Sequence, residues 1–145
     1  ADELVQRQAE VMHALGGCTY EVDIGTGASV VQGAFDAFAP AAGGPITMQD
    51  WHERTHPDDR PLIDQTWERG MRGDLPTEVE YRVRSNSGLY RWVRGWATIR
   101  RDEAGRPRSW VGVSIDVTAR REAQEWAEHL SRLHESTVEA IGGVV

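Results

Sequence analysis

The chain has 145 residues, 39% hydrophobic and 27% charged, a composition that suits one domain with a single core and flanking helices. Its net charge of −7 argues against nonspecific affinity for nucleic acid or anionic lipid. All 16 basic residues are arginine, which excludes Schiff-base chemistry, a P-loop lysine and a lysine general base together.

Residues 2–15 read as a helix, with Leu4, Val11 and Leu15 at heptad-like spacing and Gly16-Gly17 as its stop. Thr19 to Ile24 alternates like a strand, Gly25-Thr26-Gly27 turns, and Ala28 to Gln32 returns to make a hairpin. Phe35 to Phe38 suits a short helical turn, followed by loop over 41–45. Thr47 is a good N-cap for a helix carrying Met48 and Trp51, which Pro57 should end. Asp58 or Asp59 can cap the next helix, whose buried stripe is expected to be Ile63, Trp67 and Met71.

Three strands follow: Val79, Tyr81 and Val83 alternate with Glu80, Arg82 and Arg84, then come Leu89 to Arg101 and Arg108 to Val117. Strands, then helices, then three antiparallel strands make an α+β pattern around one sheet. From Ala119 the period becomes a heptad, with Ala119, Ala123, Trp126, Leu130, Leu133, Thr137 and Ala140 in alternating steps of four and three. This stripe suits a coiled coil or a helix packed on the domain, and Glu128 with Arg132 is a favourable exposed pair. Ala14-Leu15-Gly16-Gly17-Cys18 is similar to Ala140-Ile141-Gly142-Gly143-Val144, as if a second copy began there in a tandem array.

Four short motifs stand in order on these elements: His56-Pro57-Asp58-Asp59-Arg60, Glu80-Tyr81-Arg82, Arg91-Trp92-Val93, and Gly112 with Asp116-Val117-Thr118. In this the segment from about Gly16 to Arg121 resembles a PAS domain of a bacterial signalling protein. The resemblance implies a five-stranded antiparallel sheet with helices on one face, enclosing a small pocket. It also implies sensing of a ligand or partner, relay of strain into a C-terminal helix, and no catalysis by the domain itself. On this basis residues 1–15 are a flanking helix, 16–118 the PAS domain, and 119–145 a signalling helix leading to a second such domain. Asp116 and Thr118 would couple sheet to helix, and Asp116→Ala is expected to change output of the parent more than stability of this piece. The expected partners are a second copy, adjacent PAS domains and an output module, a histidine kinase or a cyclic-dinucleotide enzyme.

The same resemblance disfavours two familiar cofactors. Photoactive flavin-binding relatives carry an Asn-Cys-Arg-Phe-type motif, absent here, and amide side chains where this chain has Val83, Val93 and Ser114. Haem-binding relatives place a histidine on the long pocket helix, and residues 58–72 contain none. Strand alternation with the resemblance turns Val79, Tyr81, Val83, Val93, Gly95, Ala97, Trp110, Gly112 and Ser114 inward. The pocket candidates are Trp67, Met71, Tyr81, Val83, Val93, Gly95, Trp110 and Ser114, a mostly apolar set fitting a small apolar ligand or a filled, ligand-free core. Trp92, Trp96, Val111, Val113 and Ile115 form the opposite face, which needs a cover from the N-terminal helix or a second subunit.

His52-Glu53-Arg54-Thr55-His56 matches the zinc-hydrolase pattern His-Glu-x-x-His, but Pro57 disfavours helical geometry at His56. His134-Glu135 lacks the surroundings of a phosphoacceptor histidine and reads as solvated. No apolar run approaches a membrane span, no signal peptide opens the chain, and lone Cys18 cannot form an intrachain disulfide. These features set the expectation of a cytoplasmic protein. A start at Ala1-Asp2-Glu3-Leu4, without methionine, is expected of a processed or excised chain.

Overall fold

The structure, a computed structural model, describes residues 3, 7, 16–33, 36–38 and 46–142. In chain order it has β1 (Gly17–Asp23), β2 (Ser29–Gly33), a 3-10 turn (Asp36–Phe38), α1 (Met48–Arg54) and a second 3-10 turn (Pro57–Asp59). Then come α2 (Arg60–Met71), β3 (Thr77–Arg84), β4 (Tyr90–Arg101), β5 (Pro107–Asp116) and α3 (Thr118–Gly142). The strands form one five-stranded antiparallel sheet in the order β2-β1-β5-β4-β3. The α+β sheet expected from the sequence is thus present, with the last strand at its centre.

Local chemistry sets each boundary. The β1–β2 turn closes where the Asp23 carboxylate accepts from the Thr26 amide at 2.9 Å. The β4–β5 turn closes likewise, with Asp102 accepting from the Arg106 amide at 2.9 Å and Gly105 at φ +78°. Thr47 caps α1 as expected, its hydroxyl accepting from Asp50 N at 3.1 Å. The helix stops earlier than Pro57 alone requires. Thr55 is already extended, and its isolated bridge to Val83 fastens the chain to β3. Asp59 occupies the cap position of α2 without capping it, because its carboxylate is engaged by Arg82.

Alternation distributes the core. Tyr81, Val83, Val93, Ala97, Trp110 and Ser114 are buried on the helix-covered face. Two apolar clusters form there, one around Cys18, Phe38, Tyr81, Val83 and Val93, the other around Val22, Ala97, Ile99 and Trp110. The expected α2 stripe of Ile63, Trp67 and Met71 is only half buried, whereas Thr66 and Gly70 are buried. Small residues let the helix approach closely: a Cβ on Gly70 would stand 2.4 Å from the Trp110 ring.

On the opposite face Trp92, Trp96, Val111, Val113 and Ile115 are half buried. Arginines lie over the two indoles. Arg121 is 3.6 Å and Arg82 5.1 Å from the Trp92 ring, and Arg94 is 5.1 Å from Trp96. Of the N-terminal helix expected to cover this face, only Glu3 and Arg7 are described, both helical and exposed. Leu4, Val11 and Leu15, the loop at 41–45, and parts of both repeat segments lie outside the described residues. On α3, Glu128 accepts from Gln124 at 3.5 Å, and no ion pair joins it to Arg132.

Gly112 faces Tyr20 across the β1–β5 pair, and a Cβ there would stand 2.4 Å from the Trp96 carbonyl oxygen and 2.5 Å from the Tyr20 hydroxyl. At Gly95 the nearest atom would be 3.7 Å away. Gly112→Ala is therefore expected to lower stability by about 2–3 kcal/mol, with Gly95→Ala close to neutral. Urea denaturation of both variants checks the contrast.

Candidate functional site

Between sheet and helices lies a cavity of about 290 Å³. Members of both core clusters line it, and the exposed pair His52 Nε2 and Asp64 Oδ1, 3.1 Å apart, marks its rim beside α1 and α2. Five of the expected pocket residues line it: Trp67, Tyr81, Gly95, Trp110 and Ser114. Val83 and Val93 are fully buried within the first cluster, and Met71 packs into the second; these three are not among its lining residues.

The walls are apolar and aromatic. Trp67 and Trp110 pack with their rings tilted by 40° and centroids 4.8 Å apart, and Phe38 meets Trp51 edge-on at 5.3 Å. The Trp51 indole N–H donates to the Tyr81 hydroxyl at 2.8 Å. Desolvation pushes the Tyr81 phenol and the Cys18 thiol each up to about 12, and raises Tyr20 as well. Cys18 is therefore an inert buried thiol, paired on the sheet with Ser114.

A second constellation ties β5 to α3. The Asp116 carboxylate accepts from Arg91 Nε and, at 3.0 Å, from the Thr118 amide. Burial raises the Asp116 carboxyl, but the hydrogen bonds from Arg91 and Thr118 outweigh it and hold the group below the usual range. The Thr118 hydroxyl accepts from Trp92 N at 2.9 Å, and Val117 N donates to Trp92 O at 2.8 Å. Both main-chain polar groups of Trp92 are thus held at the base of α3, by Val117 just before the helix and by its first residue, Thr118. Glu80 on β3 binds Arg120 at 3.0 Å and Arg121 at 3.2 Å, and Arg121 stacks on Trp92. Arg121 Nε is buried without a hydrogen-bond partner among the described residues, and it lies 4.0 Å from the Glu125 carboxylate.

The motif at 56–60 has a structural task at each end. His56 Nδ1 accepts from Asp58 N at 3.1 Å, and its ring lies 4.7 Å from Tyr90. Asp59 grips Arg82 with both oxygens, at 2.8 and 2.9 Å, and also accepts from the Arg82 amide. Arg60 donates to the carbonyls of His52, Glu53 and Thr55, satisfying the C-terminal end of α1. Because α1 ends at Arg54, His52 and His56 do not share a helical face, as zinc ligation through His-Glu-x-x-His requires. Among the described residues no group of three His, Cys, Asp or Glu is placed to hold a metal ion.

Sequence reasoning missed Cys18, Tyr20 and Val22 as cavity residues. Carrying strand alternation into β1 finds them, since they pair with Ser114, Gly112 and Trp110 in turn. Glu80 and Arg121 were also missed, and no spacing along the chain brings them together.

Residues 44–114 match a family model described as PAS fold. An uncharacterized protein, y4lL, of Sinorhizobium fredii is 33% identical over 75 residues, 52% of this chain and 9% of that protein. The peroxide stress-activated histidine kinase mak3 of Schizosaccharomyces pombe is 28% identical over 102 residues, 68% of this chain and 4% of that protein. The chain thus spans less than a tenth of either relative. The crystal structure of a sensory box histidine kinase/response regulator from Burkholderia thailandensis superposes with a TM-score of 0.72 at 26% identity, covering 90% of this chain and 98% of that one.

The hydrogen bond from Arg82 is the main reason that the Asp59 carboxyl titrates below its ordinary value of 3.8. A depressed folded value stabilises above the ordinary one and is lost as pH falls through the folded one. Wild type should therefore lose stability below about pH 3.8. Asp59→Asn should be weaker at neutral pH by about 1–2 kcal/mol and show a shallower fall in acid, read by urea unfolding across pH.

Proposed function

This chain belongs to the PAS-fold family and is a sensory, non-catalytic module, and from that premise we propose that it relays occupancy of its cavity to α3. The observation carrying this reading is the junction. The first turn of α3 is fastened to β3, β4 and β5 through Glu80, Trp92 and Asp116, while the rest of the helix projects from the domain. A change in the sheet must move the base of α3, because Trp92 N and O are both held there.

Residues 16–118 form the sensing unit in this reading, and 119–145 the signalling segment. Trp126, Leu130 and Leu133 are 61%, 47% and 51% exposed, a heptad stripe that a second copy would cover as a coiled coil. The output module is a histidine kinase by analogy with the relatives, with a cyclic-dinucleotide enzyme as the other candidate. A tandem PAS neighbour fits the repeated Ala-Leu/Ile-Gly-Gly segments. No described helix is long and apolar enough to cross a membrane.

Glu80→Gln removes the anchor of Arg120 and Arg121 at a partly exposed site, so it should cost less than about 1 kcal/mol. In the full-length parent it should change output several-fold. Unchanged output from a folded Glu80→Gln and a folded Thr118→Val parent would sink the relay. Leu130→Glu with Leu133→Glu should turn a dimer into a monomer by light scattering, with the domain still folded.

A further inference from the structure

We propose that the cavity takes an uncharged, largely apolar or aromatic molecule bearing one hydrogen-bond-accepting oxygen, such as a ketone, which accepts from the hydroxyls of Tyr81 and Tyr20. The inference deepens the reading of the cavity as the sensing site and rests on it.

Charge is the first filter. Sixteen arginines are spread over the sequence, yet none is among the described residues lining the cavity. His52 and Asp64 also line it, already paired with each other at the rim. An anionic ligand would leave water for a chamber with no cation to receive it, and an ammonium ligand would find a carboxylate only at the mouth. The groups inside resist ionisation because burial disfavours their charged forms.

Hydrogen-bond bookkeeping is the second filter, and it has a sign. An indole N–H can only donate. Trp51 donates to the Tyr81 hydroxyl, so that phenol oxygen is used as an acceptor, and the Tyr20 side chain lines the same cavity. Each phenolic proton remains, and no acceptor for it is found among the described residues, although both side chains face the cavity. Ser114 adds a third hydroxyl on the same wall. A cavity furnished with unspent donors selects an acceptor, and a saturated hydrocarbon would leave them buried and unpaired. Its volume of about 290 Å³ and the indoles of Trp67 and Trp110 on its wall suit a compact ring system.

Three matched probes test this by calorimetry: 2-acetylnaphthalene, 2-ethylnaphthalene and 2-naphthoate. The ketone should bind roughly tenfold more tightly than the hydrocarbon, one good hydrogen bond in a dry site, and the carboxylate should not bind. The carbonyl stretch of the bound ketone should move to lower frequency, and less so in Tyr81→Phe and Tyr20→Phe. Either variant can carry the test if the other does not fold. Equal affinity for ketone and hydrocarbon, or a carbonyl shift untouched by both substitutions, overturns the phenol assignment while leaving a ligand site. Preferred binding of 2-naphthoate overturns the neutral class. Failure of all three probes to bind overturns the sensing reading along with the proposal.

Discussion

The strand that enters the chain last lies in the middle of the sheet. With the order β2-β1-β5-β4-β3, neither the β1–β2 hairpin nor the β3–β4 hairpin can join the other until residues 107–116 arrive between them. The β1–β5 pairing closes a loop of almost the whole domain, the kind of contact whose entropy must be met before it rewards the chain. Everything proposed for this molecule follows from that placement. The cavity is roofed by residues of β1, β4 and β5 at once, and α3 leaves from the sheet's centre, where its base touches β4 and β3 on one side of the departing strand.

Arginine does the structural work that lysine shares in most proteins. Its flat guanidinium can lie on an indole while its nitrogens bind carboxylates. Arg121 does both at once, stacked on Trp92 and paired with Glu80. Arg82 lies over the same indole while held by Asp59, just ahead of α2. A continuous line of contacts therefore runs from the start of the cavity helix, across the outer face of the sheet, to the base of α3. The cavity itself stays free of arginine among the residues described, so charge and apolar surface are divided between the two faces.

Much of this was legible in the sequence, for reasons that differ by element. The strands were readable because period-2 alternation survives in Val79, Tyr81 and Val83, and the turns because Asp23, Asp102 and the glycines have side-chain and backbone chemistry that acts locally. Thr47 was readable as a cap for the same reason. Asp59 misled because a carboxylate in a cap position looks the same whether or not an arginine 23 residues away claims it. Cavity membership was half legible. Alternation assigns a face, yet it cannot separate Val83, sealed in a cluster, from Tyr81 next to it on the same face. Which side chains leave space depends on small residues such as Gly70 and on rings arriving from other elements.

The length of α3 gives its fastening a mechanical meaning. Twenty-five residues at the helical rise span about 37 Å, and only the first turn is gripped by the sheet. A tilt of about 5° at the base then carries the far end through about 3 Å, by the same rise. In the proposed relay, a displacement of a few tenths of an ångström around Trp92 would be geared up about tenfold by the far end of the helix.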